Sequence, residues 1–263
     1  MSAPALNSAP AEPLRGSTDR VALGSRRRRL RSLLVPAALL LLAVAAALGS
    51  LWLGTPSASD LPARVAALAD GRPLRPADVP LLLEHAVVAA EDERFYLHHG
   101  LDTLGTARAA WDDLAGLCAC QGGSTITQQL AKWVYFPDAD RITRKLPGMA
   151  VALKIELQYG KRQIIADYLS VVGTGYGLIG ARQAACVFFR RGLAQLTAAQ
   201  AAEIAGSVQA PSAYDPRLHP DLARDRRDHV LDRMVDSGYL TPAQAGAAKS
   251  EPVLATATGT SCG

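Results

Sequence analysis

Between Ser32 and Ser59 the chain carries no charged residue, and its centre, Leu33 to Leu53, is almost wholly apolar. About 20 such residues are enough for a helix to cross a hydrocarbon core of roughly 30 Å. The stretch therefore predicts a membrane helix over residues 32–54, with Pro36 in its first turn, where a missing N–H is tolerated, and Trp52 near the outer interface. A cleaved signal peptide is the competing reading, and Ala45-Ala46-Ala47 offers small residues for cleavage. The apolar run is longer than the usual ~7–15-residue signal core, which favours an uncleaved anchor.

Beyond a short linker, 55–66, the pattern changes to helical spacing. Pro80 to Ala90 reads as a buried helix entered through its proline. Thr127–Tyr135, Met149–Tyr159 and Arg162–Val172 repeat apolar residues at intervals of three and four. Thr197 opens a helix reaching about Ser207. Pro220–Asp236 is a charged amphipathic helix ended by Gly238, and Thr241-Pro242 starts another. There is no convincing strand series, no internal repeat and no nucleotide-binding glycine loop.

Composition supports this mainly α reading. Hydrophobic residues make up 49% of the 263, yet aromatics only 5%; much of the apolar weight is Ala and Leu, good helix formers. The net charge is +4, and seven arginines fall within the first 31 residues, including Arg26 to Arg29 and Arg31. Basic residues on this side of the span predict a cytoplasmic N-terminus, with residues 1–31 a disordered basic tail. The rest of the chain is then outside the cytoplasm, where disulfides are permitted. Cys118 and Cys120 are too close for an easy mutual bridge, but either fits Cys186 or Cys262. Zinc is the rival reading, with no histidine at ligand spacing from the Cys118/Cys120 pair to support it.

Two polar constellations interrupt the apolar pattern. The first, Glu91-Asp92-Glu93-Arg94-Phe95-Tyr96-Leu97-His98-His99-Gly100, follows the apolar helix directly. A carboxylate at such an edge is desolvated, which raises its pKa and suits it to general-base work; a solvated helix end is the plain alternative. The second, Gln121-Gly122-Gly123-Ser124-Thr125-Ile126-Thr127-Gln128-Gln129-Leu130-Ala131-Lys132, offers glycines for close approach. It also has hydroxyls that cap a helix and a helix N-terminus that attracts anions. Lys132, Arg141, Arg144 and Lys145 follow. The set suits a phosphate or pyrophosphate; a capped helix with a basic face is the alternative.

These segments carry a resemblance. The first resembles the motif E-D-x-x-F-x-x-H-x-G of the peptidoglycan glycosyltransferases, the transglycosylase domains of class A penicillin-binding proteins and their monofunctional relatives. Gly122 to Lys132 matches their second motif, and Arg144-Lys145 resembles the start of the third. Glu156 to Lys161, Tyr168-Leu169, Gly175, Gly177, Gly180, Leu196-Thr197, Pro211 to Pro216 and Arg226 to Leu231 fall at the family's spacing, so the resemblance runs from about Ala67 to Ala248.

The resemblance implies a lysozyme-like helical domain, 67–248, beside the membrane, followed by a tail, 249–263. It implies polymerisation of lipid II into glycan strands with release of undecaprenyl pyrophosphate. Glu91 would be the general base on the acceptor sugar hydroxyl, with Asp92 in support. Phe95, His98, Gly123, Ser124, Thr125, Thr127, Gln128 and Gln129 would line the substrate groove, and Lys132, Arg144 and Lys145 would meet the pyrophosphate. A divalent cation, Mg or Mn, is implied by the family, although no dedicated metal cage is evident. A membrane, the growing glycan strand, a separate transpeptidase and other cell-wall proteins are the implied partners; no nucleic acid is expected. The sequence shows no Ser-x-x-Lys nucleophile of a transpeptidase, so a monofunctional enzyme is expected.

The pattern also breaks. The third motif, R-K-x-x-E, has Gly148 in place of its glutamate, and Pro147-Gly148 is expected to weaken the helix there, by ~3 kcal/mol for an interior proline and ~1 for glycine. In the fourth, I-L-E-x-Y-L-N, Ala166 and Ser170 replace Glu and Asn. Gly173-Thr174 stands for an aromatic pair, and Arg182 for a common acid. Asp167 adjoins the lost glutamate but lies about 100° round the helix. Three readings follow: an active glycosyltransferase, an impaired lipid II-binding or scaffold protein, and a hydrolase on the same fold. The last requires a water-activating arrangement that the sequence does not show.

Overall fold

The computed structural model describes residues 18–105, 107, 123–140 and 142–253. The chain divides after Leu53 into two units. Among the described residues the first is one helix, α1 (Thr18–Gly54), whose part Leu34–Gly54 is long and apolar enough to cross a membrane. Two expectations change here. The helix starts at Thr18, so half of the expected tail is helical: residues such as Arg, Ala and Leu are good helix formers, and extending an existing helix avoids the cost of nucleation. Pro36 is consequently interior, not in a first turn.

The second unit is almost entirely helical: α2 (Leu61–Leu68), α3 (Leu81–Glu91), α4 (Ile126–Tyr135), α5 (Lys145–Gln158), α6 (Lys161–Val171), α7 (Gly180–Phe189), α8 (Ala198–Ser207), α9 (Pro220–Asp236) and α10 (Pro242–Lys249). A small antiparallel pair, β1 (Gly173–Gly175) with β2 (Leu178–Ile179), turns through Gly177 at positive φ. The sequence pattern missed both these short strands and α7.

The centre is α8, buried along its whole length from Ala199 to Ser207 and packed against α3 and α9. Its alanines allow close approach. At Gly206 a Cβ would meet Arg226 Cγ at 2.9 Å, so only glycine leaves room for that arginine to pass. On the other side α4 packs against α5 and α6.

The expected linker is strapped down. Ala58 and Leu61 are fully buried. Lys154 Nζ donates to the Thr55 carbonyl at 2.8 Å and the Pro56 carbonyl at 3.1 Å. Tyr159 donates to the Ala58 carbonyl and Tyr135 to Asp60. The start of the expected C-terminal tail is also held: buried Arg227 donates to the carbonyls of Lys249 and Glu251.

Pro147 does not weaken α5. It is the third helical residue, where its N–H would have no intrahelical acceptor anyway, and the ladder begins one residue later with Gly148 N to Arg144 O at 2.8 Å. Cys186, on α7, is disulfide-bonded; Cys118, Cys120, Cys262 and Arg141 lie outside the described residues.

Candidate active site

α3 is apolar because it is buried, and it ends at Glu91 because Asp92 leaves helical geometry (φ −161°, ψ 72°). Glu91 is therefore delivered to the edge of the core, with its side chain only 9% exposed. Gln129, on α4, donates from Nε2 to Glu91 Oε2 at 2.7 Å. Arg226, on α9, places a guanidinium nitrogen 3.8 Å from Oε1. Burial pushes the Glu91 pKa above its ordinary range; Gln129, then Arg226 and Lys132, oppose the shift, and Asp92 adds to it. The result is a desolvated carboxylate held by donors, the condition for a base of useful strength.

Asp92 has a different task. His98 Nε2 lies 2.9 and 3.0 Å from its two oxygens, and the Ile126 N–H donates to Oδ2 at 3.0 Å. A carboxylate at the first N–H of α4 satisfies an orphan donor and matches the helix dipole. Asp92 thus fixes the start of α4 against the end of α3.

The polar run at 123–132 separates by depth. Thr125 is the N-cap, accepting from Gln128 N while Gln128 Oε1 accepts from Thr125 N, a reciprocal capping box. The Thr125 hydroxyl also donates to Gly100 O at 2.7 Å. Thr127 is fully buried and donates to Glu156 Oε1 at 2.5 Å. Lys161 joins that carboxylate at 2.8 Å and lies over the buried Phe95 ring. Phe95, His98, Thr125, Thr127 and Gln128 are therefore engaged within the fold and hold the two motifs together. Gly123 and Ser124 are exposed.

The cations are graded. Lys132 is half-buried and 4.7 Å from the centre of the Trp133 ring. Burial, then repulsion from Arg144, lowers its pKa, and Glu91 opposes this. Arg144 caps α5 and donates to the Ala139 carbonyl at 2.8 Å. Lys145 is exposed. Glu91, Gln129 and Lys132 thus form one cluster, with Arg144 bordering it through Lys132.

Among the described residues, no three His, Cys, Asp or Glu side chains converge as a metal site. Glu91 and Asp92 are already engaged by Gln129, Arg226, His98 and the Ile126 N–H. This donor set does not fit a resident divalent cation, and no step below uses one.

Residues 64–235 match the Transglycosylase family. The chain belongs to that family. It is 40% identical over 182 residues to penicillin-binding protein 1A of Vibrio cholerae, covering 69% of this chain and 22% of that protein. It is 36% identical over 168 residues to penicillin-binding protein 1F of Bacillus subtilis, covering 64% and 24%. The chain thus spans less than a quarter of the length of these relatives. Among solved structures, penicillin-binding protein 1A from Haemophilus influenzae aligns with a TM-score of 0.41 at 24% identity, over 70% of this chain and 18% of that one.

Sequence reasoning gave no role to two residues at this candidate site. Arg226 reads as one of many charges on α9, yet it, Val230 and Arg233 recur at helical spacing along one face; Arg233 reaches Ala89 O and Glu93 at the end of α3. Charged residues in phase with a buried Val230 were the available signal. Tyr168 did carry a signal, as the tyrosine of the fourth motif, but the motif alone does not say what its hydroxyl touches.

Proposed function

We propose that this chain is a peptidoglycan glycosyltransferase, anchored by α1 with its N-terminus in the cytoplasm, that polymerises lipid II outside it. The observation that carries the reading is Glu91: one desolvated carboxylate, held by Gln129 and Arg226 beside Lys132.

In this reading Glu91 takes the proton from the acceptor sugar 4-hydroxyl as its oxygen attacks the anomeric carbon of the lipid-linked donor. The C–O bond to the pyrophosphate breaks with inversion, and its electrons leave with undecaprenyl pyrophosphate. Lys132, with Arg144 and Lys145, is placed to stabilise that charge, and fixed cations at a developing anion are a large electrostatic contribution. Gln129 and Arg226 orient Glu91.

The test is polymerisation of labelled lipid II by the full-length protein in detergent beside Glu91→Gln: polymer from the parent that is lost in the variant supports the reading, and none from folded parent overturns it. A specific observation favours a second reading, a lipid II-binding protein of the cell-wall machinery. The Cβ position of Gly148 faces open space, with no described atom within 4 Å. Ala166 is wholly buried, and Ser170 is engaged between Leu74 N and Ala166 O. Binding of lipid II without polymer selects it.

A further inference from the structure

An amide presents NH2 or C=O with nearly the same shape, and for Gln129 the choice matters. Facing Glu91, the NH2 stabilises a carboxylate, whereas the carbonyl would repel it. On its other side Gln129 meets Tyr168, on α6. The hydroxyl of this wholly buried tyrosine lies 3.1 Å from Gln129 Oε1, leaving Nε2 2.7 Å from Glu91 Oε2. The ring belongs to the core, as do Ile164, Ile165 and Leu169 on the same helix, each also fully buried.

We propose that Tyr168 is a positioning residue for Glu91: by donating to Gln129 Oε1 it turns the amide so that its NH2 faces the carboxylate and holds it ionised despite burial. The inference rests on Glu91 being the base. It also gives meaning to the altered fourth motif, where Ala166 and Ser170 depart from the family but Tyr168, the residue that reaches the Glu91 cluster, is kept. The other groups facing Glu91 are Lys132 from α4, Arg226 from α9 and the adjoining Asp92. None of these contacts Gln129 Oε1 among the described residues, so the phenol is what holds the carbonyl end of the amide away from Glu91, while the carboxylate itself draws the NH2.

The experiment is a titration of the Glu91 carboxyl by 13C NMR in full-length protein in detergent, labelled at its seven glutamates and assigned with Glu91→Gln. In Tyr168→Phe, which keeps the ring but not the hydroxyl, the Glu91 midpoint rises by about one pH unit, the effect of losing one well-placed donor to a charged group. Gln129→Ala gives at least the same rise, and the double variant no more than Gln129→Ala alone. In polymerisation, the acid limb of kcat/KM moves by the same amount while KM for lipid II holds.

A parent-like midpoint in Tyr168→Phe, or shifts that add in the double variant, overturns the proposal. If Tyr168→Phe does not fold, a parent-like midpoint in Gln129→Ala, at a half-buried position, overturns it as well. The titration reads the carboxyl directly. An inactive parent would therefore sink the glycosyltransferase reading separately from the relay, and an unchanged titration would sink the relay whatever the activity.

Discussion

The end of α3 with the start of α4, and the start of α5 with the middle of α6, are two neighbouring parts of the candidate site that the motif resemblance marks, and they are built in opposite ways. In the first, each family acid has its partners: Glu91 has Gln129 and Arg226, and Asp92 has His98 and the Ile126 N–H. In the second, the positions where the motif resemblance expects acids carry none. Gly148 faces open space, Ala166 is plain core, and the remaining carboxylate, Asp167, is buried with Oδ2 unpartnered among the described residues. Asp167 accepts from Gln163 and bears electrostatically on Tyr159; it does not face Glu91. A carboxylate surrounded by donors can be kept for chemistry, whereas one without them is an energetic cost to the fold.

Removing Glu91 is expected to have the largest effect. Glu91→Gln keeps the shape and the burial but not the proton acceptor, and general-base catalysis is worth about 10²–10⁴-fold in rate. Initial rates of lipid II polymerisation are expected to fall by that factor with the thermal transition little changed. The parent's acid limb of kcat/KM should lie above the usual glutamate range, since burial raises Glu91. Arg144→Ala and Lys145→Ala should each lower the rate by a smaller factor, since Lys132 remains at the leaving pyrophosphate; parent-like rates would show that Lys132 suffices there.

Asp167 gives the opposite result. Burial lifts its pKa from 3.8 to about 6, with Gln163 opposing. Between those two values the folded state holds the proton that the unfolded chain releases, so stability is lost as pH rises through the window. Asp167→Asn should therefore stabilise the protein by about 3 kcal/mol at about pH 8 and by nothing at about pH 3, read as unfolding midpoints at the two pH values. Polymerisation should not change. A loss of activity in Asp167→Asn would instead make it a substitute for the missing family glutamate.

How much of this was legible follows the same division. α3 and α9 were readable because apolar spacing and prolines mark them, and Thr125, Thr197 and Thr241 announce capping boxes through a glutamine three residues on. Glu91 and Lys132 were readable through motifs. The inward turn of Thr127 and Phe95 was not, because a hydroxyl or ring in a polar run looks available for a ligand until Glu156 and Lys161 are brought beside it from far along the chain. Arg226 was hidden for the same reason: charge on a helix reads as surface. Pro147 misled in the other direction, since a proline's cost depends on its place in the turn, and only the structure puts the start of α5 at Lys145.

Gly148→Glu tests the open half and carries a smaller expected change in rate than Glu91→Gln. The position is the fourth residue of α5, and a Cβ there meets no described atom within 4 Å. Replacing glycine in a helix by a good helix former gains up to about 1 kcal/mol, and an acid in the first turn adds about 0.3–1 through the helix dipole. The sum, about 1–2 kcal/mol, should raise Tm by roughly 2–8 °C for a unit of this size. The new carboxylate also sits one turn beyond Arg144, where it can order that cation and Lys145 ahead of the donor pyrophosphate. Polymerisation is expected to rise up to about tenfold, a difference of ~1.4 kcal/mol in barrier. A higher Tm with an unchanged rate would show that Glu91, Gln129, Arg226 and Lys132 suffice without a third-motif acid. A higher Tm with a lower rate would show that Arg144 and Lys145 serve the leaving group best with no carboxylate beside them.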